Sequence, residues 1–425
     1  MIHSLRTRSV GPAAELDFEF GDRLNILTGD NGLGKTFVLD VAWWALTRSW
    51  ASQVALPAGG HAVPPPSLEY RVSGRGGPTD PVACAYDAQR QRWRAPARRP
   101  PMTGLVIYLR VDGAAAVWDP AVHYWRSSRA RGVTDPARPS ADVFGPGGAW
   151  RELRDESTGA LRCRGLLGDW REWEILDGGE NEAFRALRAA LAALSAPGEP
   201  LVPGASRQIL VDDLTLVPTL VTAYGEVPLT MASSAVQRVV TLAYLLVWAW
   251  RRHADTSQLI NAPPENRVVL LVDEVDAHLH PKWQRTIVPA LLEVVRVLAR
   301  ELSVQLICTT HSPLVLASAE PAFDPCHDRL FDFDLTDGAV TVRTVPWRPH
   351  YDACGWLTSD VFGLPSARGR EQERAVQDAL SLLHATNVSP AALRAADDRL
   401  SSLLSDTDPF WVRWKAQLER QGVLP

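Results

Sequence analysis

Gly29-Asp30-Asn31-Gly32-Leu33-Gly34-Lys35-Thr36 spaces its glycines, one ammonium and one hydroxyl as Gly-x4-Gly-Lys-Ser/Thr. Glycines let the backbone curl until successive N–H groups point inward, which makes a cradle for an anion. Lys35 is placed to reach the outer phosphates of a nucleotide, and the hydroxyl of Thr36 to sit on a magnesium ion (Mg2+). A second group follows much later. Val268-Val269-Leu270-Leu271-Val272 is an apolar run ending in Asp273-Glu274. Such a run suits a strand buried on both faces, with its carboxylates at the exit. Asp273 is expected to hold the magnesium through water, and Glu274 to polarise the water that attacks the γ-phosphate. These features read as a Walker A and a Walker B motif, with ATP as the nucleotide.

Two further motifs fit the same site. Gln305 to Cys308 reads as a strand that ends in Thr309-Thr310-His311-Ser312-Pro313. The next strand end along a sheet puts His311 beside the same phosphates, where an imidazole can contact the γ-phosphate and hold the water and the base in place. Met231-Ala232-Ser233-Ser234-Ala235-Val236-Gln237-Arg238 opens a helix. Ser233 and Ser234 are good N-cap residues, and a helix start with a free hydroxyl also offers an anion site.

The elements that position these groups are legible in outline. Arg23 to Thr28 alternates as a strand into the glycine loop, and Phe37 to Leu46 is an apolar run suited to the helix after it. Leu68–Val72, Val82–Tyr86, Leu105–Val111, Gln208–Val211, Leu214–Tyr224, Arg267–Val272, Val304–Cys308, Leu330–Leu335 and Ala339–Val345 read as strands. Asn181–Leu194, Ser233–Arg252, Trp283–Leu302, Gly369–His384, Ala391–Leu404 and Trp411–Arg420 read as helices. The expected organisation is an N-terminal part of the head over 1–111, an inserted lobe rich in Trp and Arg over 112–206, a C-terminal part of the head over 207–345 and a helical extension over 346–425.

Composition narrows the class. The chain has 425 residues, more than one core of ordinary size organises, and its 46% hydrophobic and 22% charged residues are those of a soluble globular protein. A net charge of −5 provides no overall field for nucleic acid. Lysine is confined to Lys35, Lys282 and Lys415, so its presence in the glycine loop is informative: a wide guanidinium does not replace a compact ammonium there. Cys84, Cys163, Cys308, Cys326 and Cys354 form no C-x-x-C, and the chain opens without a charged start followed by an apolar run, so a cytoplasmic location is expected. His278 and His280 lack an evident third ligand and read as a turn rather than a metal site.

The four motifs in this order resemble the ATP-binding-cassette type of ATPase. The specific resemblance is to the soluble SMC/RecF/OLD-like, AAA-type branch of bacterial anti-phage defence, of the Septu PtuA kind. Asp273-Glu274-Val275-Asp276-Ala277-His278-Leu279-His280-Pro281 and Thr310-His311-Ser312-Pro313 carry it best, resembling D-E-x-x-x-x-L-H-P and T-H-S-P. It covers residues 1 to 50 and 205 to 345. It implies an α/β fold, an ABC-ATPase head with a P-loop NTPase mixed sheet flanked by helices, an inserted lobe and a helical C-terminal extension. It also implies a head-to-tail dimer with ATP at the interface, in which Ser233 and Ser234 reach the partner's nucleotide. Its implied role is a switch for an effector such as an HNH nuclease. Ala235 departs from the family's usual Gly, which points to slow or regulated turnover, and the family's glutamine loop has no assigned position.

A second function is read from Arg90 to Arg138, where arginines outnumber acids and Trp93, Tyr108, Trp118, Tyr124 and Trp125 are interleaved. Charge for phosphates and rings for bases would suit a DNA-repair or chromosome-maintenance ATPase that grips nucleic acid directly. No heptad arms support an SMC or Rad50 build. A transporter subunit is disfavoured by the insertion, the atypical signature and the C-terminal extension. The longest apolar run, Val239 to Trp250, is too short to span a bilayer.

Overall fold

The computed structural model describes residues 1–58, 64–95, 101–123, 141–156, 158–299, 301–385 and 388–420. The chain divides into two units, Met1–Ala353 and Cys354–Pro425.

The first unit is built on two sheets with the helix Lys35–Thr47 between them. Ile2–Val10, Ala13–Glu19, Ser67–Gly74, Val82–Asp87 and Arg92–Arg94 form an antiparallel sheet, with the short strand Gly77–Pro78 beside Ser67–Gly74. Leu16, Phe18 and Phe20 alternate with Asp17 and Glu19, and all three apolar side chains are buried. The central sheet has eight strands in the order Asp142–Phe144, Ala115–Trp118, Leu105–Leu109, Arg267–Val272, Ser303–Thr309, Leu24–Gly29, Arg329–Thr336 and Ala339–Val345. Its five inner strands, from Leu105–Leu109 to Arg329–Thr336, pair in parallel, and antiparallel strands close both edges. Parallel strands with covered faces read as continuous apolar runs, and Val268 to Val272 are all buried. This mixed sheet with flanking helices is the expected fold class.

The parallel pairing brings every strand end that carries chemistry to one edge. Val272 lies opposite Cys308, and Cys308 opposite Ile26, so Asp273, Thr309 and the glycine loop emerge side by side. Ligands of open α/β sheets bind outside the carboxyl ends of the strands for this reason. The helix Lys35–Thr47 supplies Val38, Trp43 and Trp44 to a core shared with Tyr70 and Trp93 of the antiparallel sheet and Tyr108 and Leu271 of the central one. Burying aromatics of this size is worth about 2–3 kcal/mol each, which fixes the position of the glycine loop at the helix start.

Described parts of residues 112–206, expected as an inserted lobe, contribute elements to this unit. Ala115–Trp118 and Asp142–Phe144 extend the central sheet, and the helix Glu182–Leu194 packs on the long helix Ser234–Leu259. The reason is a buried polar joint. The His253 ring bonds Asp119 at 2.7 Å and accepts from the Glu265 amide at 2.8 Å, and His123 accepts from the Asp119 amide at 2.8 Å. Two other elements differ from the sequence reading. Gln208–Val211 is not a strand: Val202–Gln208 pairs with Leu216–Thr222, and exposed Val211 and Leu214 lie in the connection. The helix expected over Trp283–Leu302 is two, Pro281–Gln284 and Ile287–Leu298, because the turn at Arg285 and Thr286 interrupts it.

The second unit holds the helices Arg370–His384, Pro390–Leu403 and Phe410–Arg420. Ala379, Leu400, Trp414 and Leu418 form its own core, the Trp414 indole donates to Asp397 at 2.8 Å, and Arg368 pairs with Asp408.

Candidate functional site

The strand Leu24–Gly29 delivers the chain into a loop whose Gly29, Gly32 and Gly34 all take positive φ, at 118°, 78° and 97°. A side chain is excluded at Gly29, where a Cβ would stand 2.1 Å from the Phe333 carbonyl, and at Gly34, where it would meet the Pro12 ring at 2.3 Å. Around Gly32 there is open space. Among the described residues, the amides of Asn31 to Gly34 donate to no backbone carbonyl, which leaves a run of N–H groups without a backbone partner at a helix start. Asp30 and Asn31 are exposed, while Leu33 is buried and contributes only its backbone. This is the cradle an anionic phosphate chain fits.

The side chains around the cradle follow the ends of three neighbouring strands, Leu24–Gly29, Arg267–Val272 and Ser303–Thr309. Lys35 is buried, and its ammonium donates to the Gly29 carbonyl at 2.9 Å and the Asp30 carbonyl at 2.5 Å. Burial lowers its pKa to about 8, against the opposing pull of Glu274, Asp30, Asp273 and Asp332. The Thr36 hydroxyl lies 3.0 Å from each carboxylate oxygen of fully buried Asp273. Oxygen ligands from one hydroxyl and one carboxylate are the kind of donors that magnesium takes. His311, on the neighbouring strand end, is half-buried. Burial and the nearby Lys35 ammonium lower its pKa, opposed by Glu274, Asp276 and a hydrogen bond to the Gly29 backbone. It is therefore a neutral imidazole at neutral pH, suited to hydrogen bonding rather than to charge pairing.

Glu274 stands at the strand exit with φ of 46°, in the left-handed region that only a few non-glycine residues adopt. Its amide donates to the Thr309 hydroxyl at 2.6 Å, and the same hydroxyl donates to Asp273 at 3.0 Å. Thr309 thus ties the two carboxylate residues to the strand bearing His311. Sequence reasoning passed over it, although its place directly before Thr310-His311 was a usable signal. Arg238 was also passed over. It reaches from the helix Ser234–Leu259 to the carbonyls of Asp273 and Glu274, both at 2.9 Å.

Lys35, Thr36, Asp273, Glu274 and His311 therefore meet at one edge of the sheet. Ser233 and Ser234 do not join them. Both are exposed, and Ser233 caps the helix Ser234–Leu259 by accepting from the Val236 amide at 3.4 Å. His278 is an exposed turn residue with φ of 62°, and the His280 ring caps the short helix Pro281–Gln284. Leu109 is the strand end beside Asp273, and no glutamine occurs in the Arg110-Val111-Asp112 that follows.

The Arg- and aromatic-rich stretch is not a stacking surface where it is described. Trp93, Tyr108 and Trp118 are buried, and the Trp93 indole donates to the Ala55 carbonyl. Arg110 bonds Asp40 at 3.0 Å beside the glycine-loop helix, and Arg94 pairs with Asp87. Rings that fill a core are not available to bases. Arg98, Arg99, Tyr124, Trp125, Arg126, Arg129, Arg131 and Arg138 lie outside the described residues.

Residues 146–317 match the family described as "AAA domain, putative AbiEii toxin, Type IV TA system". The match takes in Ser233, Asp273, Glu274 and His311. The chain is 38% identical over 78 residues to "Retron Vc95 probable ATPase" of Vibrio cholerae serotype O1 biovar El Tor, covering 18% of this chain and 14% of that protein. It is 26% identical over 159 residues to "Septu protein PtuA" of Bacillus thuringiensis, covering 36% of each. The chain thus spans well under half the length of these curated relatives. Among solved structures, the SMC head domain from Thermotoga maritima is covered over 99% of its length and 81% of this chain, at 14% identity and a TM-score of 0.38. Over residues 146–317 the chain is similar to an AAA-domain family, and over shorter stretches to proteins named as a retron probable ATPase and as Septu PtuA.

Proposed function

We propose that this chain binds ATP with magnesium and hydrolyses it slowly, as a dimerising switch that controls a partner effector in anti-phage defence. The observation that supports this reading most is the contact of the Thr36 hydroxyl with both oxygens of Asp273, beside buried Lys35. Glycine loop and apolar strand end close on one point, where a nucleotide-bound cation would sit.

Bound ATP and magnesium supply the phosphoanhydride and a cation that spreads its charge. The chain does the rest by position and field. Backbone amides of residues 31–34 cradle the phosphates. Lys35 exchanges its two carbonyl partners for phosphate oxygens, whose negative charge favours its ammonium form. Thr36 and Asp273 hold the cation. Glu274 orients the attacking water and accepts its proton, and neutral His311 donates to the γ-phosphate. Water and base held in line are worth about 10²- to 10⁴-fold in rate.

The exposed Ser233 and Ser234 lie apart from this cluster, which supports a site completed by a second copy: two hydroxyls at a helix start suit the γ-phosphate of the partner's nucleotide. Ala235 beside them supports slow turnover. The effector in this proposal is a partner protein such as an HNH nuclease. No described helix is long and apolar enough to cross a membrane, and action in the cytoplasm is part of this proposal. Purified protein is expected to release phosphate from ATP only with magnesium, and to double in mass when ATP is added. A chain that stays monomeric with ATP while hydrolysing it at an undiminished rate would sink the switch reading.

A further inference from the structure

Arg238 lies in the second turn of the helix that begins at Ser234, and its guanidinium leaves that helix altogether. One nitrogen donates to the Val111 carbonyl at 3.0 Å, and the other donates to the carbonyls of both Asp273 and Glu274 at 2.9 Å. Three chain segments therefore meet on one side chain. A planar fork with five donors can span such a set, and the point-like ammonium of lysine cannot. Burial lowers the Arg238 pKa without threatening its charge, and the surrounding Asp273, Asp276 and Glu274 favour that charge.

What Arg238 holds is the peptide of the general base. Glu274 is in the left-handed conformation, which persists only where its surroundings impose it. Its amide is tied to Thr309, and its carbonyl accepts from Arg238 and from the Ala277 amide at 2.9 Å. Thr309 belongs to the sheet and is bonded to Asp273 at 3.0 Å. Arg238 belongs to the helix that carries the exposed serines. Beside Arg238 lies a cavity of about 280 Å³ bounded by Val111, Ala114, Leu242, Val275 and Leu279. The helix's first turns are held there by few polar ties, Gln237 to the Leu229 and Thr230 carbonyls and Trp150 to Thr241, beside open space, and a shift of the helix start would reach Glu274 through the guanidinium.

We propose that Arg238 is a positioning residue that couples the Ser233–Ser234 end of its helix to Glu274, so that hydrolysis is enabled only when that helix end is seated. The inference rests on the ATPase reading above. It adds the path by which occupation of the serine end sets the geometry of the base in the same chain.

The test is steady-state hydrolysis and ATP binding by the full chain with Arg238→Ala, Arg238→Lys and Glu274→Gln, singly and combined. Arg238→Ala is expected to lower kcat about 100-fold, the scale on which a misplaced catalytic group slows an enzyme, with KM and ATP affinity unchanged. Arg238→Lys is expected to show most of the same loss. On a Glu274→Gln background, Arg238→Ala is expected to cost nothing further, because the group it positions is gone. Wild-type kcat in either Arg238 variant overturns the inference, as does a rise in KM alone or a loss that multiplies with that of Glu274→Gln. Should Arg238→Ala not fold, Arg238→Lys carries the same comparisons. A wild-type chain that hydrolyses no ATP removes the ATPase reading and this inference together, whereas active wild type with indifferent Arg238 variants removes only the inference.

Discussion

The hydroxyl of Thr36 and the carboxylate of Asp273 are 237 positions apart in the chain and 3.0 Å apart in the fold. Asp273 also accepts from the Thr309 hydroxyl at 3.0 Å, and the Thr36–Asp273 pair offers the oxygens that a hard cation would take. Thr36→Val and Asp273→Asn are therefore expected to weaken magnesium-dependent binding of ATP about 10- to 100-fold while leaving the fold intact. Titration with magnesium at fixed ATP checks this. Unchanged magnesium dependence in both variants would remove the cation from this position.

Lys35 makes the free protein sensitive to alkaline pH. Its folded pKa is about 8 against 10.5 in the unfolded chain, because burial disfavours the ammonium. Between those values the unfolded chain holds a proton that the folded chain has released, so stability rises with pH across that window. Below about pH 8 the contribution is absent, and above 10.5 it is complete. Relative to Lys35→Met, the wild-type protein without nucleotide is expected to gain melting temperature from pH 8 to pH 10. A flat difference across that range contradicts the burial argument.

Glu274→Gln keeps the shape of the proposed general base and removes its capacity to accept a proton. It is expected to lower kcat by about 10²- to 10⁴-fold with ATP binding retained, and to accumulate the ATP-bound dimer. Phosphate release and light scattering on the same sample check both halves. Hydrolysis at the wild-type rate would assign the base elsewhere.

The second unit has its own core, so its stability responds to its own residues. Trp414 is fully buried and donates to Asp397. Trp414→Ala is expected to cost about 3–5 kcal/mol, read as an early transition in thermal unfolding that leaves ATP binding at the first unit unchanged. A single transition shifted as a whole would show that the two units unfold together.

Local chemistry was readable wherever one stretch of chain held the whole signal. The glycine loop needs consecutive residues with a fixed turn, and the apolar run to Val272 needs consecutive burial, so Gly29 to Thr36 and Asp273-Glu274 could be picked out without any contact. The helices Glu182–Leu194 and Arg370–His384 were legible for the same reason: their starts carry Asn181 and Gly369, and their apolar faces repeat at helical spacing. Aromatic content misled. Trp93, Tyr108 and Trp118 among arginines looked like a surface for bases, yet burial of such rings is worth more to the core than their charged neighbours are to the surface.

The sequence by itself determined the chemistry at each strand end, because backbone curl, charge and hydroxyl are properties of adjacent residues. The tertiary structure decided which ends meet. Parallel pairing put Cys308 between Val272 and Ile26, and from that register came the contacts of Thr36 and Thr309 with Asp273. It also decided the role of Arg238, whose three carbonyl partners carry no side-chain signature and become neighbours only when the helix Ser234–Leu259 lies against the sheet edge. A hydrogen bond to a backbone carbonyl can be made with any residue, so only the fold can say which one it is.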